Sequence, residues 1–314
     1  MMKEIILHHY PQSPISEKVR VGLGLKDLEW ASVDVPRLPP KPDLTALTGG
    51  YRRAPVMQIG ADVFCDSHCI LRELQCRFPE PSFTPNGGAG LNWGVGRWID
   101  AEPFDMAVRL VLGAGAAELP REFLDDRSRL YFGPDPDLDA IQANLPHLAA
   151  QLRVHLGLIA ESLADGRCFL LGDRPGLADI FCYYLVWFIR GRWAGGPALL
   201  AQFAALEAWE TKVAALGHGR PVAASAGEAL ESARRAEPRA PRGVDPHDPL
   251  ALNAGQRVAI RSAFDDGEDP VEGTVRYADA NTIVIDREDP RVGNIAVHFP
   301  RAGYRIMPTS AGRH

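Results

Sequence analysis

The chain has 314 residues, a formal net charge of −6 from 40 acidic and 34 basic side chains, and a hydrophobic fraction of 46%. That length allows two or three domains with a sizeable core, and the acidic balance gives no electrostatic case for nucleic acid. No apolar run reaches the roughly eighteen residues of a membrane span; the densest, 177–189, carries Asp179 and reads as a buried helix.

The first residues lack a long apolar stretch and a small-residue cleavage site, so a cytoplasmic location is expected. Residues 3–9 read as a strand and 14–26 as a helix. Between them Ser13-Pro14 places a hydroxyl where a strand ends and a helix begins. Pro14 suits the first helical position, because its missing N–H is an orphan donor there anyway. The free amides of that first turn, with the helix dipole, favour a negative charge beside Ser13. Taken alone, the stretch is an ordinary serine N-cap. A second strand is expected at 30–35, then a loop containing Pro36, Pro39, Pro40 and Pro42. Strands at 55–59 and 62–65 and a helix at 67–77 complete a βαβ…ββα set, the thioredoxin-like layout. Within it stand Arg52-Arg53-Ala54-Pro55-Val56-Met57 and Cys65-Asp66-Ser67-His68.

A Pro- and Gly-rich linker over 78–90 marks a domain boundary. Beyond it the pattern is helical, over 91–113, 120–131, 137–164, 177–189, 199–216 and 225–236. Asp179 is expected to accept an N–H at the start of its helix, where Gly176 stands at the cap. From 237 to 249 the composition is that of a linker. Alternating segments follow at 257–260, 271–277, 282–285, 295–299 and 304–306, separated by Asp-Gly, Asp-Ala-Asn and Asp-Pro turns. Short strands at this spacing predict a small SH3-like β-barrel that leans on the helical domain.

The five cysteines, at 65, 69, 76, 168 and 182, are odd in number and argue against a disulfide framework. Cys65 and Cys69 have no second ligand pair, and His8 and His9 point to opposite faces of a strand, so no metal is expected.

Three motifs, Ser13-Pro14-x-Ser16-x-Lys18-Val19-Arg20, Arg53-Ala54-Pro55-Val56 and Asp66-Ser67, occur in order within the first eighty residues. Together they resemble the amino-terminal half of cytosolic glutathione transferases, nearest the serine- and cysteine-type classes such as tau and omega. Gly172-x-x-Pro175-x-x-Ala178-Asp179-Ile180 resembles that family's later helix signature, with Gly176 where Ser or Thr usually caps. The resemblance implies a thioredoxin-like glutathione-binding domain over 1–80 and an all-helical domain over 89–236. It does not extend to the barrel expected over 248–314.

The resemblance further implies glutathione as co-substrate and Ser13 as the hydroxyl that stabilises its thiolate, with Tyr10 and His9 as rivals. In the family a cis-proline exposes the preceding backbone to the cysteinyl unit, which assigns that role to Ala54 and Pro55. Asp66 and Ser67 would hold the γ-glutamyl end, and Arg53 or Lys41 the glycyl carboxylate. A homodimer and an apolar electrophilic small molecule complete the expected partners. In several classes an acidic residue at the position of Asp100 reaches glutathione across the dimer; a solvated helix face is the plainer reading. Two alternatives share these residues: a non-catalytic binding or assembly protein, and a glutathione-dependent isomerase or dehalogenase.

Overall fold

Ile5-Ile6-Leu7 is buried completely, as a strand inside a covered sheet must be. It lies in β1 (Ile5–His9), the first element of a computed structural model that describes residues 3–133, 137–263 and 268–309. α1 (Pro14–Leu25), β2 (Glu29–Asp34), α2 (Pro42–Thr48), β3 (Val56–Ile59), β4 (Asp62–Cys65) and α3 (Ser67–Arg77) follow. β1 pairs parallel with β2 and antiparallel with β3, and β3 pairs antiparallel with β4. This is the expected thioredoxin-like arrangement with one addition. The Pro-rich segment does not stay a loop, because Pro42 opens α2, where its fixed φ is already helical.

The chain divides into two compact units. One holds the residues up to Val19, Leu28–Cys76 and everything from Arg220 onward; the other holds Arg20–Asp27 and Arg77–Gly219. The second unit contains α4 (Ala89–Asp100), α5 (Glu102–Ala114), α6 (Arg121–Tyr131), α7 (Leu138–Glu161), α8 (Leu177–Arg192), α9 (Gly196–Leu200) and α10 (Ala204–Ala214). α8 is its buried axis, and it begins as expected. The Gly176 N–H donates to Asp179 Oδ2 at 2.9 Å. Asp179 Oδ1 also accepts from the Leu170 N–H and from Trp209 Nε1, each at 2.8 Å. One buried carboxylate thereby ties a loop and α10 to the start of α8. Gly96 of α4 is needed for close packing, since a Cβ there would lie 2.5 Å from the Phe181 ring.

The first unit continues with β5 (Arg220–Ala223), α11 (Ala226–Arg234), β6 (Gly243–Val244), β7 (Arg257–Ser262), β8 (Val271–Ala278), β9 (Thr282–Asp289), β10 (Gly293–Pro300) and β11 (Tyr304–Pro308). Ser225 and Glu228 form the expected capping box of α11. β5 pairs parallel with β2, a strand that its four exposed residues, Arg-Pro-Val-Ala, are too short to announce.

The expected SH3-like barrel is not what the C-terminal strands build. They form an open sheet in the order β11-β7-β8-β9-β10, and β10 then pairs in parallel with β4. One sheet thus runs from β11 through β4 to β5. The physical reason lies at β4, an edge strand whose unpaired backbone groups take a partner more readily than solvent alone satisfies them. These strands find their core within the first unit. Val258, Ile260, Ile283, Ile285, Val297 and Phe299 pack with Leu44 and Leu47 of α2, Val63 of β4 and Leu230 of α11 in one apolar cluster. The expected Asp266-Gly267 turn lies outside the described residues.

Candidate functional site

Ser13 is almost wholly buried at the junction of β1 and α1. Its Oγ accepts the Ser16 N–H at 3.1 Å, and its carbonyl accepts the Glu17 N–H at 3.0 Å. These are the bonds of an N-cap, and they leave the hydroxyl proton as a donor. The two rival residues are differently placed. His9 Nε2 is 2.8 Å from Ser32 Oγ, and its ring meets Trp30 edge to face. Tyr10 is half-buried, with the buried Lys41 Nζ 5.8 Å from its ring centre.

The Ala54–Pro55 peptide is cis. Asp66 precedes α3 in the left-handed region, at φ 77°, which Asp tolerates better than most residues because its side chain bonds locally. Here Asp66 Oδ1 accepts the His68 N–H at 2.8 Å. Ser67 is buried, and its Oγ accepts from Lys18 Nζ of α1 at 3.1 Å.

Two residues of the C-terminal segment enter the same place. Tyr304 Oη donates to Asp66 Oδ2 at 3.2 Å and lies 3.4 Å from Tyr51 Oη. Burial first, then the Asp66 charge, holds the Tyr51 phenol well above its usual range; burial also raises Tyr304. The Glu268 carboxylate bridges both arginines of the second motif, with Oε1 3.0 Å from Arg52 Nε and Oε2 2.9 Å from Arg53 Nε. Its side chain is only 13% exposed, so this is a partly desolvated pair and stronger than a surface one.

With this geometry, comparison with known proteins is informative. The model of the glutathione S-transferase N-terminal domain matches residues 7–82, and that of the glutathione S-transferase C-terminal domain matches residues 121–211. A solved GST-like protein from Pseudomonas syringae is 33% identical, with a TM-score of 0.77, and the match covers 98% of this chain and 100% of that one. The chain belongs to the glutathione S-transferase family. FtsZ-localized protein A of Caulobacter vibrioides is 29% identical over 184 residues, which are 57% of this chain and 74% of that protein. The tau-class transferase MiGSTU from mango shares the fold, at 15% identity and a TM-score of 0.52 over 68% of this chain and 89% of its own. The Pseudomonas match is long enough to include the C-terminal strands, and the mango match leaves about a third of this chain uncovered.

Within this transferase fold, several of the residues singled out in the sequence are bonded to other parts of the chain. Arg53, Asp66 and Ser67 each already have an internal partner: Glu268, Tyr304 and Lys18. Ser13 and Lys41 stand on the preceding elements, and Asp100 accepts from Tyr184 Oη at 2.5 Å within the helical unit. Lys18 belonged to a motif visible in the sequence, but nothing local marked it as the partner of Ser67. Glu268 and Tyr304 carry no sequence signal, because their partners lie more than two hundred residues away. Among the described residues, no group of three or more His, Cys, Asp or Glu side chains is placed to hold a metal ion. No described helix is long and apolar enough to cross a membrane.

Proposed function

We propose that this protein uses the glutathione-transferase fold as a binding and assembly scaffold, with its peptide site held closed by its own C-terminal strands. The observation that carries this reading is the Glu268 carboxylate seated between Arg52 and Arg53. A carboxylate there takes the place that the glycyl carboxylate of glutathione would occupy on Arg53. Tyr304 also bonds Asp66, one of the groups assigned to the γ-glutamyl end, while Lys18 donates to Ser67 Oγ and leaves the Ser67 proton as a donor. An incoming peptide must displace Glu268 and Tyr304, and breaking a partly buried charged pair costs on the order of 2–3 kcal/mol. The likeness to a relative named for its localisation with FtsZ supports a docking role for the fold.

A second reading keeps the transferase chemistry: glutathione, activated by Ser13, attacks an apolar electrophile in a homodimer. The burial of Ser13 at the head of α1, with its O–H still able to donate, favours it. Each unit of downward shift in a thiol's pKa corresponds to about 1.4 kcal/mol, and a hydroxyl with helix amides can supply one or two.

Calorimetric titration of glutathione separates the two readings. The wild-type chain is expected to show no binding at millimolar glutathione, and Glu268→Gln combined with Tyr304→Phe is expected to gain it. Micromolar binding by the wild type, together with conjugation of a chloronitrobenzene that Ser13→Ala abolishes, would establish the transferase instead.

A further inference from the structure

The sheet extension has two unlike faces. Val63, Ile283, Ile285, Val297 and Phe299 turn to the apolar cluster on one side. Their neighbours Asp62, Phe64, Thr282, Val284 and His298 alternate to the other and line a cavity of about 200 Å³. β8 departs from alternation at this point. Val275 pairs with Ile285 and Tyr277 with Val284, so Arg276 is an inserted residue. This bulge brings both Arg276 and Tyr277 to the cavity side. α3 contributes Arg72 and Glu73, and the linker contributes Arg239 and Arg242.

The carboxylates of this cavity are already engaged. Asp62 Oδ1 lies 2.7 Å from His298 Nε2, and Asp62 Oδ2 accepts the Arg239 N–H at 2.9 Å. Glu73 accepts from Arg239 Nη2 at 2.6 Å. Asp279 accepts from the Tyr277 hydroxyl and from the Asn281 and Thr282 N–H groups. Burial pushes the Asp62 carboxyl up, but the bonds and charges of His298 and Arg239 outweigh it and hold the group below its usual range. Four arginines face these three carboxylates. Arg276 spends its guanidinium on Asp286 and on the carbonyls of Pro238 and Arg239. Arg239 has only Nη2 in its ion pair with Glu73, and Arg242 lies exposed, 6.0 Å from the Tyr277 ring centre. His298 stacks on Phe64 at 4.2 Å, and with Nε2 on Asp62 its Nδ1 is on the opposite ring edge.

We propose that this cavity binds a small phosphate monoester, with the phosphate on Arg239, Arg242 and His298 and the organic group against Phe64 and Tyr277. Asp286 neutralises Arg276, and the guanidinium donors that Arg239 and Arg242 keep outside the Glu73 pair call for an anion. Arg239 and Arg242 donate to two terminal oxygens and His298 Nδ1, with Nε2–H given to Asp62, accepts from a phosphate O–H; a carboxylate offers two oxygens and no such proton. The volume fits a compound of a few carbons and is too small for the larger ligands that fill drug-sized pockets. The residues are distinct from those around Ser13 and Asp66, so the site stands or falls independently of the function proposed above.

The test is calorimetric titration of the full chain with glycerol 3-phosphate, inorganic phosphate and succinate. Glycerol 3-phosphate is expected to bind, inorganic phosphate to bind more weakly, and succinate not to bind. Arg242→Gln, at an exposed position beside the Tyr277 ring, should keep the fold and weaken binding at least about tenfold, the loss of one charge-assisted contact. His298→Gln should weaken it similarly, and Arg220→Gln, outside the cavity, should leave it unchanged. Absence of binding by either phosphate at millimolar concentration overturns the proposal. So does succinate binding as tightly as glycerol 3-phosphate, or an Arg242→Gln affinity equal to that of the wild type.

Discussion

His8 shows how one buried side chain makes stability depend on pH. It lies in the central strand β1, with Nε2 3.0 Å from Gln58 Oε1. Burial lowers its pKa from 6.5 to about 4, against the opposing pull of Gln58 and the Asp43 charge. In the folded state the ring therefore stays neutral between those values, while the unfolded chain takes up a proton. Stability is fully present above pH 6.5 and declines as pH falls toward 4, by about 3 kcal/mol in all. Urea unfolding measured at several pH values across that window should show the decline. His8→Asn should flatten it even though the variant starts less stable. Identical slopes for the two proteins would assign the acid sensitivity to other groups. Ser13 shows a different lesson: its capping bond and its capacity to donate coexist, so the cap geometry does not by itself decide between structure and chemistry.

Among elements, α8 depends most on a single anchor. Three donors converge on Asp179, from the N-cap, from the preceding loop and from Trp209 of α10. Hydrogen bonds to a buried charge contribute about 1.5–3 kcal/mol each, and removing their shared acceptor leaves buried N–H groups unsatisfied. Asp179→Ala is therefore expected to lower stability by about 3 kcal/mol or more, read from the chemical denaturation midpoint together with loss of Trp209 burial by fluorescence. A change below about 0.5 kcal/mol, the level of a neutral surface substitution, would show that water replaces the carboxylate without cost. The β4–β10 ladder makes the corresponding point for strands. The registry of Val297 against Val63 and of His298 against Phe64 puts the first pair in the core and the second in the cavity. A one-residue slip would exchange the two faces.

For the first compact unit as a whole, the C-terminal segment is part of the core. Thirteen of the twenty-two buried members of its main apolar cluster lie between Leu252 and Ile306. Burying an aliphatic side chain contributes about 1.5–3 kcal/mol, so losing all of them exceeds the ~5–15 kcal/mol that ordinarily separates folded from unfolded. Ending the chain after Ala236 would also expose the β4 edge. The truncated chain is expected to aggregate or to lose cooperative unfolding, as seen by size-exclusion chromatography and thermal melts. A monodisperse product with a sharp transition would show that the thioredoxin-like part stands alone.

Local chemistry made the strand-helix alternation, the Pro14 and Ser225 helix starts, the Asp179 cap and the three amino-terminal motifs legible in the sequence, because each rests on residues only a few positions apart. The five alternating C-terminal segments were equally legible as strands, since a period of two needs only neighbours. Their pairing was not. Whether β10 closes a barrel or extends β4 depends on contacts separated by more than two hundred residues, and both arrangements satisfy the same local pattern. The same separation hid Glu268 from Arg53, Tyr304 from Asp66 and His298 from Asp62. Sequence by itself determined which groups are available for binding; the tertiary structure decided which of them the chain had already bound to itself, because only the folded sheet brings those distant carboxylates, phenols and imidazoles within hydrogen-bonding distance.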